Sequence, residues 1–146
     1  MNEKEYIQYR GFRNIYDDEG NAIGFEFRHR LSYYRGVWLS QLRVGRVIVD
    51  GEEILAESGN ITWVINGVEY TPEQMATDNV HMWEMTVPAT VRVKKPGGLA
   101  QGYHDIAIRY GYTSSYMPPI MDQFDDTVEK IAVFGGNTKK RRMLIV

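Results

Sequence analysis

Apolar and polar side chains alternate with a period of two residues in several short stretches of this chain. In residues 22–31 the apolar side of the alternation consists of Ile23, Phe25, Phe27 and Leu31. Charged residues stand between them, and residues 89–95 and 103–112 repeat the pattern. Such alternation is typical of strands that have one buried face and one solvated face. It predicts three antiparallel strands.

Three further stretches are rich in β-branched and aromatic residues without strict alternation. Residues 42–49 form a more continuous apolar run, which predicts a strand nearer the centre of a sheet. Residues 78–87 and 127–134 are interpreted as additional strands.

The turn residues agree with this interpretation. Asp50-Gly51 and Asn66-Gly67 each separate two β-prone runs, and such pairs favour type I′ hairpins because both central residues need positive φ. Residues 94–102, with Pro96-Gly97-Gly98 at their centre, are interpreted as another hairpin connection.

A single short stretch has helical signals. Thr71 is a candidate N-cap, Pro72 takes the first helical position, and Gln74 completes a capping box. We therefore expect an all-β fold, an antiparallel β-sandwich of about seven to nine strands with at most one helical turn at residues 71–76. No repeat or linker interrupts the sequence, so residues 1–146 are expected to form one domain.

Composition restricts the function further. The net charge of −2 gives no general reason to expect nucleic acid or an anionic membrane as a partner. The absence of cysteine rules out disulfides, thiolate catalysis and Cys-based zinc sites. No apolar run reaches the roughly eighteen residues of a membrane span. The N-terminal residues lack an apolar signal core, which favours a cytoplasmic protein.

Candidate catalytic groups are few. His29, His81 and His104 are far apart in sequence, and no two have metal-pair spacing. His29 and His104 share the inward parity of their strands, so we interpret both as hydrogen-bonded core or interface histidines. The cations at 139–142 are interpreted as protection of a strand edge. We expect no metal or cofactor site in this chain.

Residues 111–126 break the strand pattern and combine two prolines with large apolar side chains. The residues predicted to contact a partner, or to line a substrate entrance, are Tyr112, Ser115, Tyr116, Met117, Pro118, Pro119 and Phe124. Aromatic residues and methionine are enriched in interface cores. An alternative stays open, in which this loop folds back and covers one end of the sandwich.

Several sequence segments resemble one known family. They are "FRN", "GFEFRHRLSYYRGVWLSQL", "VDGE", "INGVEYTPEQM", "VRVKKPGGLAQGYHDIAIRY" and "SYMPP". In this order they are similar to the small (β) subunit of bacterial C-glycoside deglycosidases. The resemblance extends from about Phe12 to Pro119, and more loosely to the C-terminus. None of the segments is a catalytic motif, so no catalytic residue is transferred to this chain.

The resemblance implies a β-sandwich that acts as the non-catalytic subunit of a carbon–carbon lyase. The enzyme would cleave the bond between a 3-oxo-sugar and an aromatic, flavonoid-like aglycone. The large α subunit would be a TIM barrel similar to sugar isomerases, and it would hold the base and a divalent metal ion, expected to be manganese. The small subunit would be inactive alone.

A second hypothesis belongs to another class of function. The chain would be a stand-alone carbohydrate-binding sandwich in which exposed Trp38, Trp83 and tyrosines stack on sugar rings. Co-purification with a large subunit would favour the first hypothesis, and glycan binding by the isolated chain would favour the second. The roles of the three histidines stay open at this point.

Overall fold

A computed structural model describes residues 6–31, 36–84, 86–112 and 137–145 of the chain. Eleven strands and one short α-helix lie within these ranges. Nine strands form a five-stranded and a four-stranded sheet, and the other two form a separate two-stranded ladder. The prediction of an all-β antiparallel fold is confirmed, and the nine strands of the two larger sheets agree with the predicted number. No helix in the described ranges is long and apolar enough to cross a membrane.

The five-stranded sheet has the order β1, β2, β9, β6, β7, and every neighbouring pair is antiparallel. The strands are β1 (Ile7–Tyr16), β2 (Ala22–His29), β6 (Ile61–Ile65), β7 (Val68–Tyr70) and β9 (Ala89–Lys94). Phe25 and Phe27 point into the core, as their alternation predicts. On the opposite face Glu26 pairs with Arg13 and Arg92, at N–O distances of 3.4 and 3.5 Å.

The four-stranded sheet has the order β11, β10, β4, β5. The strands are β4 (Leu42–Val49), β5 (Glu52–Ile54), β10 (Gly102–Tyr112) and β11 (Asn137–Ile145). Strand β4 lies between two others, which confirms its predicted central place. Strand β11 is an edge strand that carries the cations at 139–142, as expected, although Lys139 is buried and only 7% exposed.

The predicted strand at residues 78–87 is wrong over most of its length. Only Met82–Trp83 (β8) is extended, and it pairs with Val37–Trp38 (β3). The reason is local, because the Asp78 carboxylate accepts hydrogen bonds from the backbone N–H groups of Val80 and His81 and holds a turn there. The strand predicted at 127–134 lies outside the described residues.

The local turn predictions are confirmed. Asp50 and Gly51 have φ of 50° and 86° in the β4–β5 hairpin. Asn66 and Gly67 have φ of 54° and 81° in the β6–β7 hairpin. Positive φ at both central residues is the geometry of a type I′ turn.

The predicted helical turn is also present, as helix α1 (Pro72–Ala76). The Thr71 hydroxyl accepts from the Gln74 N–H at 3.1 Å, and the Gln74 side chain accepts from the Thr71 N–H at 2.9 Å. These reciprocal bonds are the predicted capping box.

The connection at 94–102 is not a hairpin. Strand β9 belongs to the five-stranded sheet and β10 to the other, so the chain crosses between sheets here. Asn14 fixes the crossing segment, since its side-chain amide donates to the Leu99 carbonyl and accepts from the Leu99 N–H, both at 2.8 Å. The glycines therefore serve a change of sheet, and we call this side of the molecule the crossover end.

Ile23 was expected to point inward with Phe25, but it is exposed. In the ladder, Ile15 lies opposite Gly24 and Tyr16 opposite Ala22, which leaves Ile23 without a partner in β1. This irregularity reverses the side of the sheet to which Ile23 points, because the side-chain period of a strand is two.

The two sheets meet around His29 of β2, which is completely buried. Its ring centroid lies 4.8 Å from that of Trp63, 5.1 Å from Trp83 and 5.2 Å from Tyr110. Trp63 belongs to one sheet and Tyr110 to the other, so the cluster joins both layers. We call this side of the molecule the aromatic end.

The core position predicted for His29 is confirmed, but the predicted hydrogen bonding is not. Neither ring nitrogen has a hydrogen-bond partner within the described part of the chain. Burial lowers the pKa of His29 from 6.5 to about 3, because the apolar surroundings disfavour the imidazolium.

His104, at the crossover end, differs from His29 because both of its ring nitrogens have hydrogen-bond partners. Its Nδ1 donates to the Asp50 carboxylate and its Nε2 to the Ala100 carbonyl, both at 2.6 Å. Both partners are acceptors, so both hydrogen bonds form only while the ring carries both protons. Burial lowers the pKa of His104, but the hydrogen bonds to Asp50 and Ala100 outweigh it and raise the pKa above 6.5. His104 is thus hydrogen-bonded, as expected.

The first prediction concerns the effect of His29 on the stability of the fold at acidic pH. Below pH 6.5 the unfolded chain binds a proton at His29 that the folded chain excludes down to a pH of about 3. Each pH unit in this window should therefore remove about 1.4 kcal/mol of folding free energy. The variant His29→Leu should lack this loss, so its unfolding free energy should fall less steeply from pH 6.5 to 4.5 in urea titrations. Parallel pH profiles for the two proteins would contradict the prediction.

The second prediction concerns the effect of His104 on the stability of the fold as pH rises. Its raised pKa means that the imidazolium contacts stabilise the fold fully below pH 6.5, and that this stabilisation is lost as pH rises through the folded-state pKa. We expect His104→Gln to cost roughly 1–3 kcal/mol at pH 5.5, typical of hydrogen bonds to charged groups, and less at pH 9. Thermal unfolding at both pH values measures this. A cost that grows with pH would rule out the charged contact.

Candidate functional site

The predicted contact residues fall partly outside the described ranges. Tyr112 is the last residue of β10, and its side chain is buried in the core and 5% exposed. The other six lie in residues 113–136, outside the described part of the chain; they are Ser115, Tyr116, Met117, Pro118, Pro119 and Phe124. Their role in partner contact stays a prediction.

The strand that ends at Tyr112 ends at the aromatic end of the sandwich. Tyr110, two residues earlier, packs against His29 and directs its hydroxyl towards the Arg30 carbonyl at 3.5 Å. Tyr112 lies opposite Leu42, the first residue of β4. The described surface nearby consists of the β3–β8 ladder, the 3-10 turn Leu39–Gln41 and the loop after α1.

This surface is built on a buried tryptophan and carries an exposed one. Trp83 of β8 is fully buried and donates from its indole N–H to the Val87 carbonyl at 2.7 Å. Trp38 of β3 is 38% exposed. The hypothesis of a sugar-binding module placed Trp38, Trp83 and tyrosines at the surface, and for Trp83 that expectation is wrong. Trp83 belongs to the core because it is the partner of buried Val37.

The loop after α1 contains a fixed carboxylate and an exposed imidazole. Asp78 accepts from the backbone N–H of Val80 at 2.9 Å and of His81 at 2.8 Å. Its second oxygen accepts from the His81 ring nitrogen Nδ1 at 2.8 Å. These hydrogen bonds, led by those from the His81 backbone and ring, lower the pKa of Asp78 below its usual value.

The loop is attached to the 3-10 turn by two backbone hydrogen bonds. Leu39 N–H donates to the His81 carbonyl at 3.0 Å, and Ser40 N–H donates to the Asp78 carbonyl at 2.9 Å. The His81 side chain is 59% exposed, with Nδ1 bound and Nε2 directed away from Asp78. Such an imidazole can donate or accept one hydrogen bond through Nε2.

The Asp78–His81 pair was missed by sequence analysis. An Asp three residues before a His was visible in the sequence, and an Asx turn brings those side chains together. The interpretation of residues 78–87 as a strand concealed it, because a strand separates residues i and i+3 onto opposite faces.

The three histidines therefore have separate environments. His29 is enclosed in the core, His104 is bound to Asp50 at the crossover end, and His81 is exposed at the aromatic end. Within residues 6–31, 36–84, 86–112 and 137–145, no group of three or more His, Asp or Glu side chains is close enough to hold a metal ion.

Comparison with known proteins identifies the family. The family model described as C-glycoside deglycosidase beta subunit matches residues 2–116. A curated protein of Eubacterium cellulosolvens named C-glycoside deglycosidase beta subunit is 50% identical over 148 aligned positions, which cover 99% of each chain. The aligned region spans the strands, both hairpin turns and the segment beyond Tyr112. The chain therefore belongs to the family of C-glycoside deglycosidase beta subunits.

Proposed function

We propose that this chain is the accessory subunit of a heteromeric C-glycoside deglycosidase, and that the assembled enzyme cleaves the carbon–carbon bond between a 3-oxo-sugar and an aromatic aglycone. The observation that carries the proposal is the match to a protein named as a beta subunit over 99% of both chains. The name implies a partner subunit. We propose that this partner is a large subunit with a sugar-isomerase-like barrel.

The proposed reaction is an elimination. A ketone at C3 of the sugar acidifies the proton at C2, so a base can remove it and form an enolate. The enolate then expels the aglycone carbon from C1, with formation of a C1–C2 double bond. The electron pair of the broken bond stays on the aromatic ring, which accepts a proton and leaves as the free aglycone.

We assign the base to the large subunit. His29 is held neutral in the core, and His104 is engaged by Asp50 and Ala100, so neither has a ring nitrogen available to a substrate. His81 is the histidine that has an exposed ring. A divalent ion in the large subunit would stabilise negative charge on the ketone oxygen. The described residues of this chain do not form a site for such an ion.

The contribution of this chain is proposed to be contact with the large subunit near the substrate entrance. The stretch from Tyr112 to Phe124 supplies the residue types that anchor interfaces. Two consecutive prolines reduce the conformational entropy that such a stretch loses on binding. Its first residue ends β10 at the aromatic end, the same end that presents Trp38 and His81. This common location supports the proposal.

The third prediction tests whether this chain is an accessory subunit and the large subunit is catalytic. The purified chain alone should release no aglycone from a 3-oxo C-glycoside, whereas the same chain mixed with the large subunit should restore turnover at a stoichiometric ratio. Chromatographic detection of free aglycone measures both. The large subunit alone serves as the control. Turnover by the isolated chain would refute the accessory role, and monomeric behaviour with glycan binding would favour the carbohydrate-binding hypothesis.

The fourth prediction tests the contact stretch. Tyr116→Ala and Phe124→Ala should each weaken association with the large subunit by about 2 kcal/mol or more, because they remove large anchor side chains. Both variants should keep the circular dichroism spectrum of the unmodified chain, and excess large subunit should restore turnover. Asp125→Ala and Asp126→Ala are matched controls, for which we expect little change. Unfolding of both aromatic variants would instead identify the stretch as a cover of the sandwich core.

A further inference from the structure

Strand β1 contains a large bulge, and a glycine lies within it. Gln8 lies opposite Arg28 and Arg13 lies opposite Glu26, so residues 9–12 face only Phe27 of β2. Gly11 has φ of 82°, a conformation that other residues rarely adopt. A Cβ at Gly11 would come within 2.8 Å of Nε of Arg28. Bulges redirect side chains, so this irregularity is a means of presenting the residues within it.

The bulge turns Tyr9 into solvent. Its side chain is 63% exposed, although the ring is large and apolar. The guanidinium carbon of Arg10 lies 5.9 Å from the ring centroid, and that of Arg141 lies 5.4 Å from it. Arg141 also donates to the Ile7 carbonyl at 2.8 Å, which links β11 to β1. These contacts favour one orientation of the exposed ring.

A groove adjoins the bulge. It has a volume of about 490 Å³, and strand β1 forms most of its lining. The lining residues are Phe12, Arg13, Asn14, Ile15, Tyr16, Glu26 and Ile145. Phe12 and Ile145 are buried apolar residues, whereas Arg13 and Tyr16 are exposed. Phe12 belongs both to the bulge and to the groove lining, so the groove continues from the strand segment that presents Tyr9. An exposed aromatic ring and a groove on one strand offer an anchor and a receiving site to a protein surface.

The positive charge of the bulge and groove indicates the chemistry of the surface that would bind there. Arg10, Arg13 and Arg141 lie along the bulge and groove, in a chain whose net charge is −2. The Glu26 carboxylate in the groove lining pairs with Arg13, so Arg10 and Arg141 make the region positive. A second copy of the chain would bring like charges together if it used the same surface. An acidic protein surface would be complementary, and tyrosine and arginine are the residue types that dominate interface energies.

We propose that Tyr9, Arg10 and the adjoining groove, together called the bulge surface, bind an acidic region of the large subunit. This inference rests on the proposed function and adds a contact site distinct from residues 112–124. The Tyr9 ring is the anchor, and Arg10 attracts and orients the acidic partner.

Binding of the purified large subunit to variants of the full chain tests the inference. Tyr9→Ala should raise the dissociation constant at least about 30-fold, whereas Tyr9→Phe, which keeps the ring, should change it by less than about 5-fold. Arg10→Glu should lower the association rate about 10-fold at low salt and much less at high salt. Interferometry with immobilised large subunit provides the affinities and the rates.

Two variants at other surfaces are matched controls. Val68→Ala removes an apolar side chain that is 51% exposed in β7, the edge strand on the opposite side of the five-stranded sheet from β1. Lys94→Glu makes the same charge change as Arg10→Glu on an exposed residue of β9. Both should bind as the unmodified chain does. Tyr9 and Arg10 are exposed, so all variants should keep the unfolding midpoint of the unmodified chain.

The outcomes separate this inference from the proposed function. If the unmodified chain does not bind the large subunit, the proposed function fails and this inference fails with it. If the unmodified chain binds and the Tyr9→Ala and Arg10→Glu variants bind equally well, the bulge surface is refuted and the accessory role stands. An equal loss with Lys94→Glu would mean a general charge effect and would also refute it. If Tyr9→Ala lost binding of a C-glucoside but still bound the large subunit normally, Tyr9 would be a residue that contacts the sugar ligand. That result would overturn its assignment as an anchor for the large subunit.

Discussion

Burial of the His29 imidazole between the two sheets is the contact on which the arrangement of the aromatic end depends. Trp63 approaches the ring from the five-stranded sheet and Tyr110 from the four-stranded sheet. Trp83 completes the cluster and carries the β3–β8 ladder, so the surface loops beyond it are positioned through the same packing. Edge-to-face contacts between aromatic rings contribute beyond their buried area. The surface that presents Trp38 and His81 is therefore supported by a core cluster.

The parts of the fold that sequence analysis predicted correctly depend on local interactions. The two type I′ turns and the capping box each involve residues within four positions of one another, and residue chemistry alone specifies them. Alternation likewise placed Phe25 and Phe27 in the core. In the candidate site, by contrast, the Asp78–His81 turn was locally encoded but was interpreted as a strand.

The features that escaped prediction depend on register and on distant partners. The crossing of residues 94–102 between sheets could not be distinguished from a hairpin, because both begin with a proline-glycine turn. The bulge opposite Phe27 and the outward position of Ile23 follow from the register between β1 and β2, which alternation cannot reveal. His104 meets Asp50 across 54 positions, so its charge could not be inferred from parity. The hydrophobic pattern indicates which face of a sheet a side chain lies on. The pairing of the strands determines which residues that side chain contacts.

The contacts that hold the crossover end in place have a kinetic consequence. Asn14 bonds Leu99 across 85 positions, and β2 completes its pairing only when β9 reaches it, although residues 30–88 separate the two strands. Folds dominated by such distant contacts lose the entropy of closing large loops before the stabilising contacts form. They therefore reach the native state on the order of milliseconds to seconds. Until those contacts form, strand edges that are paired in the native sheets stay unpaired, and unpaired strand edges promote aggregation. The speed of folding, as much as the final stability, then determines how much functional chain a cell obtains.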